Sequence, residues 1–368
     1  MYLKYIAKSI IIYIKGYSVV TSVNKVYTIY RIMKILLDAF GGDYAPAEMV
    51  KGAVMAVQND SEVEVVLVGN EDAIKAELAP VYTGDKISII NADEVIGCDE
   101  VPTVAIRQKP NSSMVVALNA LRKNDEYVGM VSSGSTGALL TGAYLIVRRI
   151  KGIQRPALCP ILPTIKGGKV ILCDAGANAD CKAEMLCDFA LMADKYATIM
   201  NGVTNPKIAI LSNGAEEGKG NEMTKAAYSM LKEMKGINFV GNIEARDIIS
   251  GDVDIVVADG FSGNVALKAT EGMAMGMLAL IKDGIMNGGV KAKLGYVMLK
   301  KVFKDVKHTL DYNENGGAMF IGVEKVVVKA HGSAKAKSIA NSIIQAKDLA
   351  KRDVIGKIKE ALLEAKEG

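Results

Sequence analysis

The chain has 368 residues, 50% of them hydrophobic and 23% charged, which supports a large buried core and excludes a disordered protein. Its formal net charge of +4 belongs to the leading segment: residues 1–32 hold Lys4, Lys8, Lys15, Lys25 and Arg31 with no acid, and taking these five from the 45 basic residues leaves 40 against 41 acidic ones. A near-neutral body gives no electrostatic footprint for nucleic acid, and five cysteines without CxxC spacing beside only two histidines speak against a zinc site or a secreted disulfide framework.

In chain order, residues 1–32 come first, rich in Tyr and Ile and ending at Met33-Lys34 before the run ILLD. Lys15 interrupts the apolar core after SIIIYI, which argues against a secretory signal, and the run is too short to span a bilayer. Two readings stand for this appendage: an upstream start with Met33 the natural one, or a basic interfacial anchor. From Lys34 onward the strand-like runs KILLD, EVVLVG, KISIIN, YVGMVS, KVILCD, KIAIL, NFVG, DIVVA and KVVVKA alternate with helical patterns. Helices are expected at 45–58, 114–123, 137–149, 183–200, 221–235, 264–282 and 333–347. Nearly continuous Val, Ile and Leu mark strands covered on both faces. The expected fold is therefore α/β, a three-layer α/β/α sandwich on a mostly parallel sheet. With no Pro/Ser-rich linker, residues 33–368 read as a single domain with a helical amphipathic insertion near 288–312.

Ligands in such sheets bind beyond the carboxyl ends of the strands, so the residues directly after each strand matter most. These are DAFGGDYAP (38–46), SSGSTG (132–137), DAGANADCK (174–182), NGAEEGKGN (213–221), DGFSGN (259–264) and HGS (331–333). Glycine permits close backbone approach, and exposed N–H groups at a helix start attract anions, so SSGSTG reads as an oxyanion or phosphate cradle. GAEEGKG only superficially resembles a P-loop, and no GxGxxG follows the first strand. Lys182, Arg155 and Lys268 stand in or near these loops with Asp38, Asp43, Asp174 and Asp259, which suggests an anionic substrate held by cations. Taken singly, each loop is also read as a helix cap and each charge as a surface ion pair. In residues 288–308, Val290, Leu294, Val297, Met298, Phe303 and Val306 fall near one stripe among six lysines. That pattern fits either a helix lying on an anionic membrane or a core-facing helix with a solvated lysine face.

As an ordered set, DAFGGDYAP, SSGSTGALL, RPAL, DAGANADCK, NGAEEGKGN, FVGNIEARDI, VADGFSGNVALK, DYNENGGAMFIGV and AHGSAKAKSI resemble the phosphate acyltransferases of bacterial phospholipid synthesis. The resemblance runs from about Met33 into the 340s, and departs at Phe40, Ser133 and Ser135, where methionine, alanine and asparagine are common. It implies a fold similar to isocitrate and isopropylmalate dehydrogenases and to phosphotransacetylases. It also implies a cytoplasmic homodimer loosely associated with membrane or with a membrane acyltransferase, and no cofactor or metal. The implied reaction carries a fatty acyl group from acyl-carrier protein to inorganic phosphate. Phosphate is already anionic at neutral pH and a thiol has a pKa of only about 8.5, so neither a strong base nor a strong acid is required.

Under the resemblance, Ser132, Ser133, Gly134, Ser135, Thr136 and Gly137 cradle phosphate, with Asp38, Gly41, Gly42, Asp43, Arg155, Gly260, Gly263 and Lys268 completing the binding set. Lys182 neutralises phosphate and the developing oxyanion, Asn264 donates at the carbonyl, and Asp259 orients the lysine or accepts the phosphate proton; Asn178 and His331 are secondary catalytic candidates. The alternatives are a transfer between a small acyl-CoA and phosphate, a hydroxyacid dehydrogenase lacking its dinucleotide motif, and a non-catalytic membrane scaffold.

Overall fold

The computed structural model describes residues 3–6, 9–14, 17–22, 25–310 and 316–367; the DYNEN part of the last-but-one motif lies outside them. In order the elements are β1 Leu3–Ile6, β2 Ser9–Ile14, β3 Tyr17–Ser22, β4 Lys25–Arg31, β5 Met33–Asp38, α1 Ala47–Asn59, β6 Val63–Gly69, α2 Glu71–Leu78, β7 Ile87–Asn91, α3 Pro102–Gln108, α4 Ser113–Lys123, β8 Tyr127–Ser132 and α5 Thr136–Gly142. There follow β9 Ala157–Cys159, β10 Ile161–Pro163, β11 Lys169–Cys173, α6 Ala183–Asn201, β12 Lys207–Ser212, α7 Glu222–Glu233, β13 Asn238–Glu244 and β14 Ile255–Val257. The last are α8 Gly260–Asn287, α9 Gly289–Leu310, β15 Ala318–Ile321, β16 Val326–Lys329, α10 Ala336–Lys351 and α11 Val354–Glu367. They form two compact units, Met1–Arg148 with Lys325–Arg352, and Arg149–Glu324 with Asp353–Gly368. Each unit is assembled from two separated stretches of chain, so no linker composition marks the boundary.

In the first unit β7, β6, β5, β8 and β16 pair in that order, all parallel. Ile35, Leu36 and Leu37 are successive and wholly buried. Successive strand residues point to opposite faces, so both faces are covered. The covers are α1 packed on α10, and α4 against β5, β6 and β8. Strands β1 to β4 form a separate antiparallel meander, where no strands are expected from the sequence pattern above.

The second unit has its own sheet, β10-β11-β14-β12-β13, parallel except for β10, and within this unit β9 also pairs with β15, antiparallel. Where the pattern predicts one mostly parallel sheet from Lys34 onward, the described residues from Met33 onward build two; runs of apolar residues identify strands but not their partners. The core around Leu172, Ala209, Val256 and Leu267 joins this sheet to the first turns of α8. Beyond Leu267, α8 and all of α9 form a hairpin with exposed apolar side chains, among them Leu280 at 74%, Val290 at 75% and Met298 at 85%. No described helix is long and apolar enough to cross a membrane.

Candidate functional site

In the first unit, three loops meet at the carboxyl ends of β5, β8 and β16. Asp38 ends β5 and is 1% exposed. Its Oδ1 accepts from Ser113 Oγ at 2.6 Å and Phe40 N at 3.3 Å, and its Oδ2 accepts from Ser132 Oγ at 2.7 Å. Burial raises the Asp38 pKa above the ordinary carboxylate value, against the lowering effect of the Ser113 and Ser132 hydroxyls. Ser132 Oγ accepts in turn from Gly134 N at 3.1 Å, so the start of the cradle is fixed from inside.

The glycines are required by closeness. A β-carbon on Gly41 would lie 2.6 Å from Gly134 N, and one on Gly42, whose φ is +95°, would lie 2.8 Å from Ser133 Cβ. Asp43 N donates to Gly332 O at 2.9 Å, closing the third loop on the first. The departures at Ser135 and Phe40 are accommodated: Ser135 Oγ caps α5 by accepting from Ala138 N, and the Phe40 ring lies over Gly69. The first-turn N–H groups of Thr136 and Gly137 have no intrahelical acceptor, which leaves donors for an anion. His331 is exposed; its Nδ1 accepts from Ser333 N at 3.2 Å, which in the neutral ring leaves the proton on Nε2.

In the second unit, Asp174 follows β11 and is wholly buried. Its Oδ1 accepts from the backbone of Leu158, Gly176 and Ala177 at 2.9, 3.2 and 3.0 Å, and its Oδ2 from Asn178 N at 2.7 Å and Asn178 Nδ2 at 2.9 Å. Burial is the largest influence on its pKa, which is raised despite these donors. The Asn178 amide is thereby committed to Asp174 and to Pro156 O, while Asn178 O accepts from Gly260 N at 2.7 Å. At Gly263 a β-carbon would come within 1.9 Å of Asp174 O. DGFSGN is therefore not a loop: Asp259 Oδ1 caps α8 by accepting from Ser262 N at 2.8 Å, and Gly260, Gly263 and Asn264 lie on the first turns of the helix. Asn264 is exposed beside Gly176.

Lys182 occupies the N-cap position of α6, exposed, and its side chain forms no hydrogen bond or ion pair with another described residue. Asp259, engaged as a cap, does not hold it. Lys268 is a turn beyond Asn264 and pairs with Glu271 at 2.8 Å, and Arg155 is exposed on the turn before β9. Cys181 lies in the same loop as Asp174, its thiol pushed up to about 12 by burial. A thiol so weakly acidic is a poor nucleophile at neutral pH.

The expected binding residues thus fall into two groups. Asp38, Gly41, Gly42, Asp43, Ser132–Gly137 and His331 come together in the first unit, and Asn178, Asp259, Gly260, Gly263 and Asn264 in the second. Sequence reasoning missed Ser113, which donates to Asp38, and Lys329, whose Nζ donates to Ser133 O at 3.3 Å. Among the described residues no group of three or more His, Cys, Asp or Glu is placed to hold a metal ion.

Residues 33–357 match the family described as "Fatty acid synthesis protein". The phosphate acyltransferase of Clostridium botulinum (strain Alaska E43 / Type E3) is 47% identical over 329 residues, covering 89% of this chain and 98% of that protein. That of Caldanaerobacter subterraneus subsp. tengcongensis is 45% identical over 330 residues, covering 90% and 97%. Among solved structures, a phosphotransacetylase from Streptococcus pyogenes superposes with a TM-score of 0.58 at 18% identity, covering 87% of this chain and 94% of that one, a likeness of fold. The chain belongs to the fatty acid synthesis protein family that these phosphate acyltransferases share, and it is an acyltransferase.

Proposed function

We propose that the protein transfers a fatty acyl group from the thioester of an acyl-carrier protein to inorganic phosphate, releasing the carrier thiol and an acyl phosphate for phospholipid synthesis. The observation that carries this reading is the inward-tied cradle: Ser132 and Ser135 spend their side chains on Asp38, Gly134 and Ala138, leaving backbone donors of the first turn of α5 for an anion. Phosphate attacks the thioester carbon as an oxyanion, the tetrahedral intermediate collapses, and the thiolate leaves and takes a proton from solvent. Lys182, whose side chain has no partner among the described residues, offsets charge on the attacking phosphate and the oxyanion, and Asn264 donates to the latter. The weakly acidic Cys181 thiol favours direct transfer over an acyl-enzyme.

The same reading makes the protein a cytoplasmic homodimer that rests on an anionic membrane surface. Support comes from the hairpin of α8 and α9, where exposed Val290, Val297 and Met298 accompany Lys291, Lys293, Lys300 and Lys301. Phe303 stacks near Tyr296 with ring centroids 5.5 Å apart, so Val297→Glu with Met298→Glu is the cleaner disruption. Flotation with phosphatidylglycerol vesicles should lose this double variant, and undiminished flotation would remove the hairpin as anchor.

The deciding assay follows free thiol from palmitoyl-acyl-carrier protein with and without phosphate, trapping acyl phosphate as hydroxamate. Phosphate-dependent release with matching hydroxamate is expected. Faster turnover of acetyl-CoA than of the carrier thioester would instead assign the small-acyl reaction. Lys182→Ala should lower turnover about 100- to 1000-fold with unchanged thermal unfolding.

A further inference from the structure

We propose that Lys329 is a positioning residue of the phosphate cradle: its buried ammonium clamps the loop Ser132–Gly137 in anion-binding shape and supplies the positive charge that this loop lacks. The inference deepens the acyl-to-phosphate reading and rests on it for the identity of the anion. β16 reads VVVK and is buried throughout, and its register sets Lys329 beside Ser132 of β8. The lysine is 9% exposed. Its Nζ donates to Ser133 O at 3.3 Å and to Ala330 O, carbonyls that lie in the cradle and at the start of the His331 loop.

A peptide group is planar, so holding one side of it orients the other. The plane between Ser133 and Gly134 is held on both sides, its C=O by Lys329 and its N–H by Ser132 Oγ. Charge adds to geometry. SSGSTG contains no cation, and the buried Asp38 is bonded to it through Ser132, so a phosphate seated there approaches a carboxyl group. A backbone carbonyl that accepts from an ammonium brings no net charge of its own, so these two bonds orient the loop without neutralising the lysine. A buried ammonium also acts through a medium of lower polarity, and is screened less by salt than a surface lysine.

The test titrates inorganic phosphate into the full-length protein by calorimetry, for wild type, Lys329→Arg and Lys329→Met, and then measures KM for phosphate and for the acyl donor. Lys329→Met should weaken phosphate binding about 30-fold and raise KM for phosphate in step, leaving KM for the donor within about 2-fold, while Lys329→Arg recovers most of the loss. Phosphate affinity unchanged in a folded Lys329→Met protein overturns the proposal; so does equal damage to both substrates in both variants, the mark of a merely structural lysine. Should Lys329→Met fail to fold, nitrogen-15 spectra of wild-type lysine ammonium groups decide, with the Lys329 resonance assigned by its loss in Lys329→Arg: phosphate must shift it, and no shift sinks the idea. Wild-type protein that binds phosphate yet shows no phosphate-dependent thiol release would end the acyl-transfer reading while leaving Lys329 in its role. Wild-type protein that binds no phosphate would end both.

Discussion

Asp38 and Asp174 occupy equivalent places in their own units, each a buried aspartate at the carboxyl end of a parallel strand, yet they are satisfied in opposite ways. Asp38 draws its hydroxyl donors from Ser113 and Ser132, 75 and 94 positions away. Asp174 takes Gly176, Ala177 and Asn178, all within four positions, with Leu158 as the one more distant donor. The first carboxyl group therefore gathers segments that only the folded unit brings together, whereas the second shapes the loop that contains it. A local carboxylate knot concentrates its cost in one residue; a distributed one shares it among several.

Removing the local knot should have the largest effect. Asp174→Ala leaves buried N–H groups without an acceptor and should cost about 3 kcal/mol or more in urea unfolding, with loss of turnover. If it costs no more than Ser113→Ala, the contrast collapses. Ser113→Ala removes one of several donors to Asp38 and should cost about 1–2 kcal/mol, with Asp38 still held by Ser132.

Smaller again is Glu48→Gln. Glu48 on α1 accepts from Ala336 N at 2.8 Å, another carboxylate joining distant segments, and this backbone hydrogen bond is the leading cause that lowers its pKa. A lowered folded-state value means that the stabilisation is present above the unfolded value of about 4.3 and is lost as pH falls through the folded one. The variant should be about 1 kcal/mol less stable at pH 7, with the gap closing in acid below that range. A gap that widens in acid would reverse the assignment. Smallest of all, Cys181→Ser should leave turnover within about 2-fold, since the thiol, held up to about 12, carries no covalent step. A covalent acyl adduct at Cys181 in a quenched reaction would contradict this.

The same contrast explains what was legible in the sequence. DAGANADCK reads as a motif because its donors and acceptor are neighbours in the chain, whereas the bond from Ser113 to Asp38 has no local signature. YVGMVS has the bounds of β8, Tyr127–Ser132, because a run of small and β-branched residues buried on both faces leaves little choice. The short strands β9, β10 and β15 read ALC, ILP and AMFI and lack the unbroken Val and Ile that mark the equally short β14 and β16. Gly260 to Gly263 read as a loop because glycine counts against helix, but Asp259 supplies the cap and the close approach to Asp174 demands small residues. One signal was present and unused: a lysine ending VVVK, where an all-buried strand admits a charge only for a reason.

The helix α8 carries glycines of two opposite kinds, and this sets how freely its parts drift under mutation. At Gly263 any side chain must displace either the helix or the Asp174 loop, and the bond from Gly260 to Asn178 means that moving one drags the other. Gly272, Gly276 and Gly284 have open space around the place of a β-carbon. Alanine at each of these should raise helix stability by about 0.5–1 kcal/mol. Over 28 residues, roughly 42 Å of helix, substitution thus passes from forbidden to mildly favourable. A library of variants spread along α8 would find its survivors beyond Leu267, where the hairpin leaves the core.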